Sequence, residues 1–160
     1  MKSPLESAAA RRRYDALLQL LGTADAIWNA SRVFFAAWDL SPSQFNVLNL
    51  LRGVPGGISQ TELSRRLITH RSNVTGLADR LERRGLVSRQ DVAGDRRAYR
   101  VVLTRSGAEL LKQILPEYHA RADALWRGLS LNHVSRLTSK LQALARNAER
   151  IAMELPERVK

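Results

Sequence analysis

Three clusters of residues in this 160-residue chain have the types and spacing to grip a polyanion. The first is Arg71, Ser72, Asn73, Thr75 and Arg80. They occupy exposed or flanking positions of a segment whose apolar residues, Val74, Leu77, Ala78 and Leu81, repeat at helical spacing. Short polar groups and an arginine near a helix start reach base edges in a DNA major groove without holding the helix away. Ser72 and Asn73 also suit a plain first turn, where capping residues gather. The second cluster is Arg83 and Arg84, one to two turns on, placed for phosphates, which position a protein without carrying sequence information. The third is AGDRRAYR, residues 93–100, in which Arg96 and Arg97 stand at the tip of a β-prone hairpin. Arginines there suit the minor groove, where negative potential concentrates; the alternative is a solvated loop. Asp95 is the odd member, one acid among three arginines. It either shapes the turn after Gly94 or holds a neighbour such as Arg97 or Arg89 in a groove-ready pose.

Bond-making chemistry has no comparable support. His70, His119 and His133 are scattered, and none has a metal-ligand partner one turn away. The chain has no nucleophile elbow, no P-loop and no dinucleotide-binding glycine motif. It has no cysteine, which removes disulfides, thiolate zinc sites and thiol redox sensing together. The reading is a binding protein and not an enzyme, with no catalytic residue, no metal and no cofactor. Its net charge of +11 points to an anionic partner, and the distribution sharpens this. Residues 59–107 carry 11 Lys and Arg against 5 Asp and Glu, more than half of the excess. No apolar run approaches the roughly 18–20 residues of a membrane span, and the start, MKSPLESAAARRR, lacks the apolar stretch of a signal peptide. A cytoplasmic protein without a membrane partner is expected.

The elements that must position these clusters are mostly helical. A first helix is expected over 11–38 after a frayed 1–10, with Leu21, Ala24, Trp28, Ser31, Phe35 and Trp38 on one face. Ser41, Pro42 and Gln44 make a capping box closed by Leu40 and Phe45, and Ser59 with Glu62 repeats the pattern after the breaker RGVPGG. A third helix is expected from near Thr69–His70 to Gly85, completing a helix-turn-helix. LVSRQ and AYRVVLT then form a hairpin with a wing-like loop, and Thr104 caps a helix carrying Leu110, Leu111, Ile114 and Leu115. Val134, Leu137, Leu141, Leu144, Ala148, Ile151 and Leu155 alternate at spacings of three and four. That pattern suits a helix–helix seam between two copies; the alternative is a core stripe within one chain. The fold class is mainly α with a small β-hairpin wing: dimerisation helix 11–38, winged helix-turn-helix domain 40–104 and dimerisation helices 105–160.

Residues 40–111, and above all RLERRGLVSR running into GDRRAYRVVLTRSG, resemble the MarR family of winged-helix transcription regulators. The resemblance implies a homodimer built from N- and C-terminal helices, and a repressor released from a pseudo-palindromic operator when a small, often aromatic, acid binds. Partners would be double-stranded DNA, a second copy of the chain and that effector. Arg71, Ser72, Asn73 and Thr75 fall on the family's recognition-helix positions, Asp95 and Arg97 on its wing D-x-R pair, and Arg89 on the arginine ending the first wing strand, where it joins Arg83 and Arg84 as an expected contact to the DNA backbone. The family's effector pocket makes Trp28, Arg32, Phe35, Trp38, Phe45 and Tyr118 candidates, with Arg32 facing a carboxylate; the alternative is that the aromatics fill the core. Two departures stand out: Gly76 replaces a longer side chain within the recognition helix, and His70 stands where a capping residue is frequent. The remaining functional alternative is a non-specific architectural DNA-binding protein.

Overall fold

A computed structural model describes residues 7–67, 74–92 and 95–154, with 92 and 95–98 described by backbone alone. The chain divides into two compact units, Met1–Lys112 and Gln113–Lys160. The first opens with α1 (Ala8–Ala36), which begins earlier than expected because the Ser7 hydroxyl accepts from the Ala10 N–H at 3.0 Å. Helix α1 ends in a turn whose Asp39 has φ 52°. The Asp39 and Leu40 N–H groups donate back to the carbonyls of Ala36 and Phe35, at 3.0 and 3.1 Å. This is the closing turn that glycine usually makes. An aspartate tolerates the left-handed conformation better than most residues, and here Arg84 holds it by donating to the carbonyls of Trp38 and Asp39.

The capping box at Ser41 forms in full ahead of α2 (Pro42–Arg52), with Ser41 Oγ accepting from the Gln44 N–H at 3.2 Å and Gln44 Oε1 from the Ser41 N–H at 2.7 Å. The box at Ser59 forms by half ahead of α3 (Gln60–Arg66). The hydroxyl of Ser59 accepts from the Glu62 N–H, but the Glu62 carboxylate turns to Arg66 at 2.6 Å. An exposed arginine one turn on competes for the carboxylate that would close the box. Residues Ile58–Ser59 also form a short strand, β1, that the sequence reading took only as a helix start.

Helix α4 (Val74–Arg83) buries Val74, Leu77, Ala78 and Leu81, the expected face. It ends at Gly85, φ 67°, where the Leu86 N–H reaches the Leu81 carbonyl at 3.0 Å. Strands β2 (Val87–Val92) and β3 (Asp95–Leu103) follow, and β3 lies between β1 and β2 in an antiparallel sheet. The strands run further toward the turn than the sequence suggested. Asp91 pairs with Tyr99 but Val92 with Asp95, so the register jumps and 96–98 stand in the irregularity. Bulges of this kind bend and re-aim a strand.

Helix α5 (Arg105–Leu125) starts at Thr104, whose hydroxyl accepts from the Gly107 N–H at 3.1 Å and donates to the Gly85 carbonyl at 2.7 Å. The core of the first unit gathers Phe35, Phe45, Leu48, Leu51, Leu63, Leu81, Val101 and Leu111, all almost fully buried. In the second unit α6 (Leu131–Glu154) follows a cap in which Ser130 Oγ accepts from the His133 N–H. No residue of α6 is buried, so its apolar stripe is not a core stripe of a single chain.

Gly107 is where the start of α5 meets the end of α4. A Cβ there would lie 2.2 Å from the Leu86 carbonyl oxygen. Gly107→Ala is expected to cost about 1–3 kcal/mol, the usual effect of overpacking, read as a lower urea midpoint with an unchanged slope.

Candidate nucleic-acid interface

Helix α4 carries the candidate readers. Thr75, Arg80 and Arg83 are exposed beside its buried face, with Gly76 and Asp79 half-buried. On a helical projection Gly76 lies between Thr75 and Arg80 on the side away from the core. Arg71, Ser72 and Asn73 lie outside the described residues. Asp95, Arg96 and Arg97 have their backbone in β3, with the two arginines at the register jump.

Two of the expected phosphate contacts have other partners. Arg84 is tied to the turn after α1, donating to the Trp38 carbonyl at 3.1 Å and to the Asp39 carbonyl, with the Asp39 carboxylate at 3.7 Å. Arg89 reaches from β2 to α4. Its Nη1 donates to Glu82 Oε2 at 2.6 Å, its Nη2 donates to Asp79 Oδ1, and its backbone N–H donates to Glu82 Oε1 at 2.9 Å. The guanidinium lies over the Tyr99 ring, 4.9 Å from the centroid. Its Nε is buried without a hydrogen-bond partner among the described residues. The Asp79 hydrogen bond raises the Arg89 pKa beyond the usual arginine range against the opposing effect of burial, with Tyr99 and Glu82 adding to the rise. Arg89 is therefore charged at any working pH, and its role here is to fasten the wing to α4.

Tyr99 links further. Its hydroxyl donates to Gln60 Oε1, and Gln60 Nε2 donates to the Thr75 hydroxyl oxygen. Gln60, Tyr99, Asp79 and Glu82 were not among the residues singled out from sequence as contacts or supports of the site. A signal for the acids was present: two carboxylates three apart in a strongly basic segment need a cation, and Arg89 follows Glu82 by seven residues. Gln60 and Tyr99 had none, because 39 residues separate them.

The expected effector residues are placed as follows. Arg32 lines a cleft of about 320 Å³ with Ala36, Asp39, Leu40 and the start of α2. Phe35 and Phe45 stack at 4.3 Å and are buried in the core. Trp38 packs on Phe34 at 4.9 Å, Trp28 is half-buried on α1, and Tyr118 lies on α5 in the second unit. Among the described residues there is no cluster of three potential metal ligands and no helix long and apolar enough to cross a membrane.

A sequence model of the MarR family matches residues 38–98. The transcriptional repressor MprA of Escherichia coli K12 is 38% identical over 87 residues, which cover 52% of this chain and 49% of that protein. The chain thus spans about half the length of the curated relatives it matches first. Among solved structures, a MarR protein from Peptoclostridium difficile superposes with a TM-score of 0.77 at 19% identity, covering 98% of this chain and 97% of that one. Bordetella bronchiseptica BpsR, whose DNA binding is regulated by 6-hydroxynicotinic acid, superposes with a TM-score of 0.66 at 22% identity over 79% of this chain and 98% of that one. At these identities the structural likeness establishes the winged-helix fold. The relatives matched by sequence are transcriptional regulators, not enzymes.

Removing the charge of Arg89 while keeping its length tests the fastening. Arg89→Met leaves Asp79 and Glu82 facing one another, and loss of hydrogen bonds to charged groups costs about 1.5–3 kcal/mol. A melting temperature several degrees below wild type is expected by circular dichroism.

Proposed function

We propose that this chain, which a MarR family model matches over residues 38–98 and whose fold is that of MarR winged-helix structures, is a cytoplasmic, homodimeric, sequence-specific DNA-binding transcriptional repressor of that family. The observation that carries this reading is α4. It exposes Thr75, Arg80 and Arg83 and is braced by Arg89 of the hairpin whose second strand carries Arg96 and Arg97. A recognition helix in the major groove with an arginine wing beside it is how winged helices combine base readout with minor-groove anchoring. Arg71, Ser72, Asn73, Thr75 and Arg80 read bases from the recognition helix, Arg83, Arg84 and Arg89 add charge along the DNA backbone, and Arg96 and Arg97 on the wing reach the minor groove with Asp95 steadying Arg97. Arg84 and Arg89 also hold the lobe together.

Dimerisation rests on the terminal helices. Leu137, Leu141, Leu144 and Ile151 on α6, and Leu17, Leu18 and Leu21 on α1, are all exposed in one chain. Apolar stripes of that length are covered in a stable protein. A second copy would set two recognition helices about 34–36 Å apart, one turn of DNA. Release would follow binding of a small aromatic acid in the cleft beside Arg32, with the guanidinium taking the carboxylate. The support is the cleft itself and the ligand of BpsR.

Selection of bound genomic fragments, repeated with candidate acids, tests the whole reading. An operator site is expected, and equal affinity for random duplex would mark a non-specific architectural protein instead. Arg97→Ala is expected to weaken operator binding about tenfold or more, in line with one lost groove contact of 1–3 kcal/mol, measured by titration at fixed salt. Sedimentation equilibrium at micromolar concentration should return twice the 18.0 kDa chain mass, and Leu141→Glu with Leu144→Glu should return it singly.

A further inference from the structure

Gln60, Tyr99 and Thr75 come from three different elements, yet their polar ends form one chain of hydrogen bonds. Tyr99 on β3 donates to the amide oxygen of Gln60 at the start of α3, and the amide nitrogen of Gln60 donates to the hydroxyl of Thr75 on α4. Thr75 is exposed, while Gln60 and Tyr99 are half-buried behind it. Each link has a direction. An amide oxygen only accepts and an amide NH₂ only donates, so the pose of Gln60 decides what Thr75 offers outward.

The pose of Gln60 is set by the cation at the far end. Arg89 lies over the Tyr99 ring, with its guanidinium carbon 4.9 Å from the centroid. A phenol oxygen beside a fixed positive charge turns its lone pairs toward that charge and its proton away. The proton then faces Gln60, which must answer with its oxygen and so present its NH₂ to Thr75. Chains of this kind polarise one another link by link. With one of its two lone pairs taken by Gln60, the Thr75 hydroxyl keeps its proton for an outward partner and has only one lone pair left, which weights its outward face toward donation.

We infer that Gln60 and Tyr99 are positioning residues that make Thr75 a hydrogen-bond donor to DNA, so that it selects a keto oxygen over an amino group in the major groove. Guanine O6 and thymine O4 occupy the places at which adenine and cytosine carry NH₂, and a donor accepts the first pair and rejects the second. The inference rests on the proposed reading as a sequence-specific DNA-binding protein and adds the polarity of one contact to it.

The test is selection from a randomised duplex library by the full-length protein and four variants, read as base preference at each position. The wild type is expected to favour guanine or thymine at one position by about 3- to 10-fold, the worth of one hydrogen bond, and Thr75→Ser to keep that preference. Thr75→Val should flatten that position alone, and Tyr99→Phe should flatten the same position, leaving the others as in wild type. Gln60→Glu is the sharpest arm. A carboxylate accepts from both neighbours, so the Thr75 proton turns inward and the preference at that position should move to adenine or cytosine. A merely structural role would lower affinity or melting temperature without moving one column of the preference. The inference is overturned if Tyr99→Phe and Gln60→Glu keep the wild-type profile, if Thr75→Val weakens all sequences equally as a phosphate contact would, or if the wild type favours an amino group there. Failure of the wild type to select any sequence overturns the functional reading itself.

Discussion

The candidate interface depends on one guanidinium. Arg89 leaves β2 and meets two carboxylates of α4, while its own backbone N–H is taken by one of them. The wing and the recognition helix are thereby held as one body on either side of the turn at Gly85. The same group covers the Tyr99 ring, and so extends its influence to β3 and, through Gln60, to α3. A half-buried charge of this kind is worth keeping only when every neighbour is placed to answer it. Asp79 and Glu82 are those neighbours, and they explain why acids persist in the most basic part of the chain.

Much of the architecture was legible because its signals are local. Ser41, Pro42 and Gln44 lie within four residues, and a capping box needs nothing beyond them. Gly85 marks the end of α4 through its own φ, and the buried face of α4 follows from the spacing of four apolar residues. The misses are non-local. Ile58–Ser59 became a strand only because β3 passes alongside and pairs Ile58 with Val101. Arg84 and Arg89 look like their neighbours Arg80 and Arg83 in sequence, and what separates them is the acceptor each meets in the fold: carbonyls 45 residues away for one, carboxylates on a neighbouring element for the other. The stacking of two aromatic residues is a non-local fact of the same kind. Phe35 and Phe45 share a neighbourhood with Arg32, but stacking on one another takes them out of the cleft that Arg32 lines.

The two terminal helices show the opposite economy. Backbone hydrogen bonding within a helix needs no tertiary partner, so α1, with 29 residues, and α6, with 24, hold their shape while their leucines remain uncovered. Their apolar faces are thus specified by sequence without being used by the single chain. The winged lobe buries its apolar residues at home and leaves its charges outside. The terminal helices leave much of both outside.

The internal engagement of arginines also changes what the formal charge means. Binding to DNA displaces condensed counterions roughly in proportion to the phosphates neutralised. In residues 59–107 Arg66 already answers Glu62, Arg84 answers the turn at Asp39, and Arg89 answers Asp79 and Glu82. Those cations are held at fixed places on the lobe before a duplex arrives. The acids are already counted in the net charge, so the lobe's excess stays as its composition gives it, and what the pairing fixes is where on the surface that excess lies.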